Sequence, residues 1–523
     1  MKKNFLPLNL LLLLLVFPAF VFAQTLEEKL KEIDAYAEKA RTDWKVPGIA
    51  IGIVKDDKVV LLKGYGVREL NKPEKVDENT LFAVASNSKA FTTASLAILV
   101  DEKKLDWDDK VTKYLPEFQM FNSYATSELT IRDLVSHRTG LDTFSGDLLW
   151  YETTYNADEI LRRVQFLKPT SSFRSQFGYQ NLMFIAAGRV IEKVSGKTWS
   201  QFVTERILTP LGMTRTTTSV KNLKDNYALP HNESGGKLRV LPPGNVDGAV
   251  AAAGLESSVA DIAKWLRLQL GKGKFDGKQI YSEKQSGAMW SPVTPLPVNP
   301  FPAKDAPTQM FSAYGLGWFL QDYRGRKIVQ HGGGLDGMIS QTAMMPSENL
   351  GLVVLTNSET GVNSIMMNKI FDVFLNVEPG RDWSAERMIR SNLNKAKDAE
   401  ADMKIVASRV ANTKPSLALK DYAGNYVDEL YGDATVAEEN GKLVIRLVQS
   451  PNFVADLEHW HYDTFQIKWR PSVSYNFPRG FITFTLDKSG KTDEMKIDQP
   501  NNDFWFYELH FKRKVNTEVG NEN

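Results

Sequence analysis

The chain contains no cysteine. That absence removes disulfide frameworks, zinc–thiolate sites and thiol nucleophiles from consideration. An excess of charge of either sign is missing too, since 64 basic residues stand against 63 acidic ones for a net charge of +1. Such a balance gives no electrostatic case for nucleic acid or a strongly acidic membrane surface as partner. No internal repeat and no low-complexity tract is visible. What is present is ordinary globular composition, 42% apolar and 24% charged, over 523 residues. That length exceeds one ordinary core and predicts two or three domains, the main one large enough to be stable without covalent staples.

One long apolar run stands out, at the amino terminus. Lys2 and Lys3 form a short basic region, residues 10–17 are almost purely apolar, and Val21-Phe22-Ala23 places small residues at the sites a signal peptidase reads. Read as a membrane anchor, the run is short for a bilayer and broken by Pro18. Residues 1–23 therefore read as a signal peptide, with no cysteine after the cut to carry a lipid. The expectation is a bacterial periplasmic or secreted protein with no stable membrane span once the signal is removed.

The pattern beyond residue 23 divides in three. A charged amphipathic helix over 26–43 is stopped by Pro47-Gly48, and strands at 49–54 and 59–66 form a hairpin. A helix after residue 85 carries Phe91, Ala94, Leu96, Ala97 and Val100 and is too apolar all round to lie on a surface. Residues 105–270 read as mostly helical, with clear pieces at 131–136, 182–194 and 260–270. Short strands return at 315–321, 327–330, 339–345 and 350–357, before a helix over 363–374. Strands flanking a helical middle predict one sheet assembled from distant pieces, with helices packed on it. Residues 381–414 read as a helical linker. From about 415 to 515 short strands at 424–427, 434–438, 443–447, 465–469, 481–486 and 504–512 predict a small antiparallel barrel or sandwich.

Ser86-Asn87-Ser88-Lys89 is the central chemical feature. Positions three apart share a helical face, so a serine opening a buried helix meets the lysine one turn on. Burial disfavours the ammonium and lets the lysine accept the serine proton, and the helix N-terminus favours the negative charge of attack. The bland alternative is an N-cap serine with a solvated lysine. Ser88 lacks the geometry, because Phe91 stands three residues on. A second copy of the pattern, Ser234-Gly235-Gly236-Lys237, reads as a turn. Tyr179-Gln180-Asn181 lies just ahead of the helix at 182. Lys89 is expected to depress the Tyr179 phenol enough for proton transfer, and Asn181 offers an amide that both donates and accepts. His331-Gly332-Gly333-Gly334 follows a late strand, where glycines admit close backbone approach. The amides of Gly334 and Ser86 are candidates for an oxyanion hole. His331 is a candidate donor to a substrate carboxylate or carbonyl, or a polariser of Tyr179. A His-Gly-Gly-Gly string also precedes the Gly-x-Ser-x-Gly elbow of lipases, but here it follows the serine and no such elbow occurs.

In this order the three motifs resemble the serine β-lactamase and penicillin-binding protein superfamily, nearest its class C branch of D-alanyl-D-alanine carboxypeptidases, D-aminopeptidases and esterases. Val46-Pro47-Gly48, the stretch from Leu134 to Leu141, that from Ala253 to Ser258, and Tyr314-Gly315-Leu316-Gly317-Trp318 add to the likeness, which covers about residues 28–375. The resemblance implies an α/β fold, an antiparallel sheet flanked by helices with an all-helical subdomain, over residues 24–380. It implies that Ser86 is acylated, that Lys89 and Tyr179 shuttle protons, and that Asn181, His331, Gly333 and Gly334 bind substrate or oxyanion. Class C β-lactamases carry Lys-Thr-Gly where this chain has His331-Gly332-Gly333, and the histidine form is that of the peptidase members. The segment from Tyr422 resembles the small lipocalin-like barrels appended to some peptidase relatives.

Two further pairs deserve an alternative reading. His459 and His461 alternate on a possible strand, where an aromatic barrel face is the blander account than a metal site. Asp133 and His137 lie four apart, where a structural network at a helix end competes with a second catalytic pair. The resulting expectation is a serine hydrolase acting on amide or ester bonds, leaning to peptides that contain D-amino acids, with no cofactor and no metal. A broad esterase, a weak β-lactamase and a silent peptidoglycan-fragment sensor are the alternatives. The expected partner is a small-molecule or peptide substrate. The mature chain is expected to begin at Gln24, which the intact mass of the exported protein checks; an unprocessed mass rejects the signal reading.

Overall fold

A computed structural model describes residues 24–299, 309–377 and 380–514, so the proposed signal peptide lies outside the described residues. Helix α1 (Leu26–Asp43) opens with a capping box in which Thr25 and Glu28 satisfy each other's backbone N–H groups. Its inward positions Ile33, Ala37 and Ala40 fall on one stripe. Strands β1 (Gly48–Lys55) and β2 (Lys58–Gly66) pair through a two-residue turn, Lys55 opposite Lys58. Asp56 and Asp57 supply the left-handed backbone that such a tight hairpin requires, with φ of 51° and 61°.

Six later strands complete the sheet: β3 (Thr294–Pro295), β4 (Ser312–Tyr314), β5 (Phe319–Tyr323), β6 (Arg326–Leu335), β7 (Met338–Met345) and β8 (Leu350–Thr356). Their order is β2-β1-β8-β7-β6-β5-β4-β3, and every pairing is antiparallel. The amino-terminal hairpin thus sits beside the last strand, with Ile49 opposite Thr356. Alternate side chains of β1 enter two separate cores. Ala50 and Val54 pack with α2 (Ser88–Asp101), α3 (Asn181–Ser195) and α4 (Val259–Leu270), whereas Ile49, Ile51 and Ile53 pack with α1 and α5 (Val362–Phe374). Covering both faces explains why β1 is apolar at nearly every position instead of alternating. Helix α2 is buried from Ser88 to Leu99, and Phe91 stacks on Trp265 of α4 with ring centroids 3.9 Å apart.

Helix α6 (Trp383–Ala407) connects this unit to a closed barrel of β9 (Gly424–Asp428), β10 (Gly432–Glu439), β11 (Lys442–Leu447), β12 (Val454–His461), β13 (Thr464–Trp469), β14 (Gly480–Leu486), β15 (Thr492–Asp498) and β16 (Phe511–Arg513). Closure comes from β9 pairing with β16, Tyr426 opposite Arg513. Several boundaries differ from the sequence reading. Residues 315–318 form a turn, with Gly317 at φ 74°, before β5 begins. Strand β6 continues through the glycines to Leu335, because β7 supplies partners along its length. Only Phe511 and Lys512 of the expected strand at 504–512 are extended, in a strand that runs on to Arg513; Phe506–Glu508 is a turn of 3₁₀ helix. Strand β15 escaped notice because its buried positions, Thr492, Met495 and Ile497, are separated by charged residues.

Among the described residues no helix is long and apolar enough to cross a membrane. Truncating Phe91 to alanine removes a fully buried ring from the helical layer and is expected to cost about 3–5 kcal/mol. The readout is the urea midpoint of the hydrolase-domain transition, and an unchanged midpoint contradicts the central placement of α2.

Candidate active site

Ser86 lies on a turn of 3₁₀ helix (Ala85–Asn87) that runs straight into α2. Residues three apart in such a turn lie over one another, and Lys89 Nζ comes 3.0 Å from Ser86 Oγ. Neighbouring elements fix the turn. Asn87 donates to Ser340 Oγ at 2.8 Å and accepts from Thr342, both on β7, while Ser340 Oγ donates to the Val84 carbonyl at 2.7 Å. Ser88 Oγ accepts the Leu255 N–H at 3.0 Å, so the neighbouring serine is turned into the core and away from the nucleophile position. Ala85 has φ 45°. A side-chain-bearing residue held there costs about 1–3 kcal/mol, and the surrounding bonds keep it in place.

Lys89 is fully buried. Besides Ser86, its Nζ donates to Asn181 Oδ1 at 2.6 Å and to the Ala252 carbonyl at 3.0 Å. Both partners can only accept. In the neutral amine they take its two hydrogens, and the lone pair is left facing Ser86. Burial pushes the Lys89 pKa down to about 7, against the opposing pull of Asp147. A free-base amine is therefore present at neutral pH.

The other motifs converge on the same cleft with roles that differ from expectation. The Tyr179 ring lies beneath Lys89 Nζ, 4.9 Å from its centroid, and packs on His137 and Phe144 at 4.1 and 5.4 Å. Its phenol is not depressed. Burial pushes it well above the ordinary tyrosine value, a hydrogen bond with Ser86 opposes this, and Asp147 adds to it. Lys89, itself held near neutrality, is a weak source of positive potential. Asn181, the first residue of α3, spans Lys89 and the buried carboxylate of Asp147, to which its Nδ2 donates at 2.6 Å. One amide hydrogen of Asn181 remains for a substrate.

His331 Nδ1 is 2.6 Å from the Gly332 carbonyl and Nε2 is 3.0 Å from the Tyr314 hydroxyl. A carbonyl only accepts, so Nδ1 carries the proton and Nε2 takes the Tyr314 O–H. Burial, reinforced by Lys89, pushes the imidazole pKa down to about 3. The ring is thus a neutral wall with both nitrogens engaged, instead of a free donor for a carboxylate, and its centroid is 6.1 Å from that of Tyr179. The glycines press β6 against the nucleophile turn. A Cβ at Gly333 would meet the Val84 carbonyl at 2.3 Å and the Ser86 nitrogen at 2.9 Å, so only glycine fits. Gly334, one residue on, lines the cleft with Ser86.

The cleft has a volume of about 1440 Å³ and is shared between domains. Tyr475, Asn476, Asp503 and Phe504 of the barrel line it opposite Ser86, Tyr179 and His331. The sequence reading missed these residues, together with Asp147 and the Ala252 carbonyl, because none belongs to a local pattern. For Asp147 the one available sign was an acid set directly before the apolar stretch Leu148-Leu149-Trp150-Tyr151.

The remaining candidates lie elsewhere. Ser234 and Lys237 face each other across a tight turn, with Gly235 and Gly236 at φ 58° and 77°. Asp133 caps a short helix and pairs with Arg138 and Arg174, both at 2.6 Å, whereas His137 accepts the Gln180 N–H and supports Tyr179; the two do not meet as a pair. His459 is 3.0 Å from the Tyr462 carbonyl and His461 accepts the Val410 N–H, with a bulge between them that breaks their shared register.

Known proteins resemble this chain in sequence and fold. Residues 33–369 match the Beta-lactamase family, and residues 408–513 match a domain of unknown function, DUF3471. Unguisins hydrolase ungD' of Aspergillus campestris is 31% identical over 419 residues, 75% of each chain. Protein flp of Staphylococcus aureus is 28% identical over 331 residues, 62% of this chain and 63% of that one. Among solved structures, the octameric penicillin-binding protein homologue from Pyrococcus abyssi superposes with a TM-score of 0.61 at 20% identity, over 92% of this chain and 100% of that one. A D-stereospecific amidohydrolase from Streptomyces sp. gives 0.53 at 22% identity, over 65% of this chain and 97% of that one.

The state of His331 has a measurable consequence. With a folded pKa of about 3 against an ordinary 6.5, the unfolded chain binds a proton between those values that the folded chain refuses. Stability therefore falls as pH drops from about 6.5 toward 3, and buried His137, also held well down by burial, acts in the same direction. Thermal midpoints of His331→Gln are expected to fall less steeply than those of wild type across this window. Equal slopes would show that His331 is not held neutral.

Proposed function

This chain belongs to the Beta-lactamase family, and we propose that it hydrolyses amide or ester bonds through an acyl-enzyme on Ser86. The carrying observation is the placement of Lys89. Two acceptors that cannot donate consume its amine hydrogens, a lone pair faces Ser86 Oγ at 3.0 Å, and burial brings its pKa to about 7. Those are the conditions for a general base at neutral pH. Ser86 Oγ adds to the substrate carbonyl carbon as its proton passes to Lys89 Nζ. The amides of Ser86 and Gly334 receive the oxyanion. Tyr179, which keeps its proton in the dry site, gives that proton to the leaving nitrogen or oxygen and is reprotonated from the Lys89 ammonium. Water then adds to the acyl carbonyl and Ser86 leaves with a proton.

The substrate reading is a peptide containing D-amino acids. It rests on the histidine of the third motif and on the appended barrel; a relative 31% identical that is named an unguisins hydrolase supports the hydrolytic part of the reading. A penicillin-type substrate is disfavoured on electrostatic grounds, because the third motif offers a neutral imidazole with no free N–H where a carboxylate would need a cation. The amino-terminal run, read as a signal peptide, supports a site of action outside the cytoplasm.

A fluorophosphonate probe followed by intact mass is expected to give one adduct on the mature protein and none on Ser86→Ala. The rate of adduct formation is expected to rise with pH through about 7 as Lys89 loses its proton. An adduct on Ser86→Ala rejects the nucleophile, and a rate flat from pH 6 to 8 rejects the base. In a panel of D-Ala-D-Ala peptides, D-aminoacyl amides, short-chain esters and a chromogenic cephalosporin, the D-amino-acid substrates are expected to turn over fastest. Turnover of esters alone rejects the peptidase assignment.

A further inference from the structure

The carboxylate of Asp147 is buried behind Lys89, and the serine–lysine–tyrosine scheme assigns it nothing. Its Oδ2 accepts the Asn181 Nδ2–H at 2.6 Å, and Asn181 Oδ1 accepts from Lys89 at 2.6 Å. Oδ2 serves only as the acceptor of that N–H, whether or not the acid's proton sits on Oδ1. It therefore fixes which end of the Asn181 amide turns toward Lys89, and without it the amide is free to flip and present its NH2 group to the amine. The segment that carries Asp147 is gripped by the other domain. Glu508 accepts from Ser145 Oγ and, at 3.0 Å, from the Gly146 N–H, while Trp505 Nε1 donates to the Thr143 carbonyl at 2.6 Å. Immediately after Asp147, Leu148 and Tyr151 are buried in the core of the barrel itself, with the Tyr151 ring 4.4 Å from that of Phe504. Asp147 is thus the point where a chain of contacts starting in the barrel ends on the amide that orders Lys89.

We propose that Asp147 is a positioning residue for Lys89, acting through Asn181, and that the carboxy-terminal barrel holds it in register by gripping the segment from Thr143 to Tyr151. This rests on the acyl-enzyme reading. It gives the barrel a task in the chemistry that lining the cleft does not. The titratable groups packed around Lys89 and Asp147 are Tyr179, His137 and His331 from the hydrolase unit and Asp503 and Tyr431 from the barrel; burial keeps both histidines and both phenols neutral. Burial also raises Asp147, against the downward pull of the Lys89 ammonium, and raises Glu508. The negative form of Asp147 favours the Lys89 ammonium, so removing that charge makes the free base appear at lower pH.

The test is the pH profile of fluorophosphonate acylation on the full-length mature chain, for wild type, Asp147→Asn, Glu508→Ala and the double variant. Asp147→Asn is expected to lower the plateau rate by about 10- to 100-fold through misorientation of the base and to move the acid limb lower by about half a pH unit or more. Glu508→Ala, which touches neither Lys89 nor Ser86, is expected to shift in the same direction by less. The double variant is expected to match Asp147→Asn, because both changes act through one contact. A merely structural role would reduce the labelled fraction without moving the limb. An unmoved limb in Asp147→Asn overturns the positioning role, and additive effects in the double variant overturn the part given to the barrel. A wild-type chain that forms no Ser86 adduct rejects the acyl-enzyme reading first and this inference with it.

Discussion

The structure is organised around one unfavourable placement, an ammonium-bearing side chain taken wholly out of water. Lys89 is tolerated in the core because three oxygens surround its Nζ, and because the site lets it shed its charge near neutrality. Each oxygen comes from a different part of the chain: the turn before α2, the first residue of α3, and the carbonyl of Ala252. Bringing them together requires α2 to be central, which in turn requires a sheet covered on both faces. The fold can be read as the apparatus that keeps one amine dry and aimed.

How much of this was legible in the sequence depended on how local the information was. Ser86 and Lys89 are three residues apart, and a single turn of backbone decides that they meet. The hairpin at Asp56 and Asp57 and the glycine turn at Gly235 and Gly236 are local in the same sense. Tyr179 and His331 were located by motif, yet their protonation was misjudged, because burial on all sides is a tertiary property. The phenol is raised where depression was expected, and the imidazole spends both nitrogens on Gly332 and Tyr314. Asp147 left almost no trace, since its meaning comes from Asn181 on one side and the barrel on the other. The barrel was visible from its alternating strands except at β12, seen only as the possible strand of His459 and His461, and at β15, where charge outweighs apolar content.

The two units are less separable than their sequence boundaries suggest. Leu148 and Tyr151 belong by sequence to the hydrolase unit and by packing to the barrel core. Asn232 and Arg239 donate to the Ser474 carbonyl, and Asn476 donates to the Glu233 carbonyl, tying the β-hairpin around Gly235 to a barrel loop. Helix α6 between the units is largely exposed, with Ser384 its one buried residue, and it adds surface ion pairs to these direct contacts, Asp402 with Arg479 of the barrel and Lys395 with Glu233.

The pairing of β1 with β8 also governs how the chain can reach this state. The backbone N–H of Gly48 is satisfied by Asn357, 309 positions further on. Until synthesis has delivered that distant segment, an all-apolar strand has neither its neighbour in the sheet nor a cover for either face. Non-local closure of this kind makes folding slow and leaves intermediates prone to aggregation.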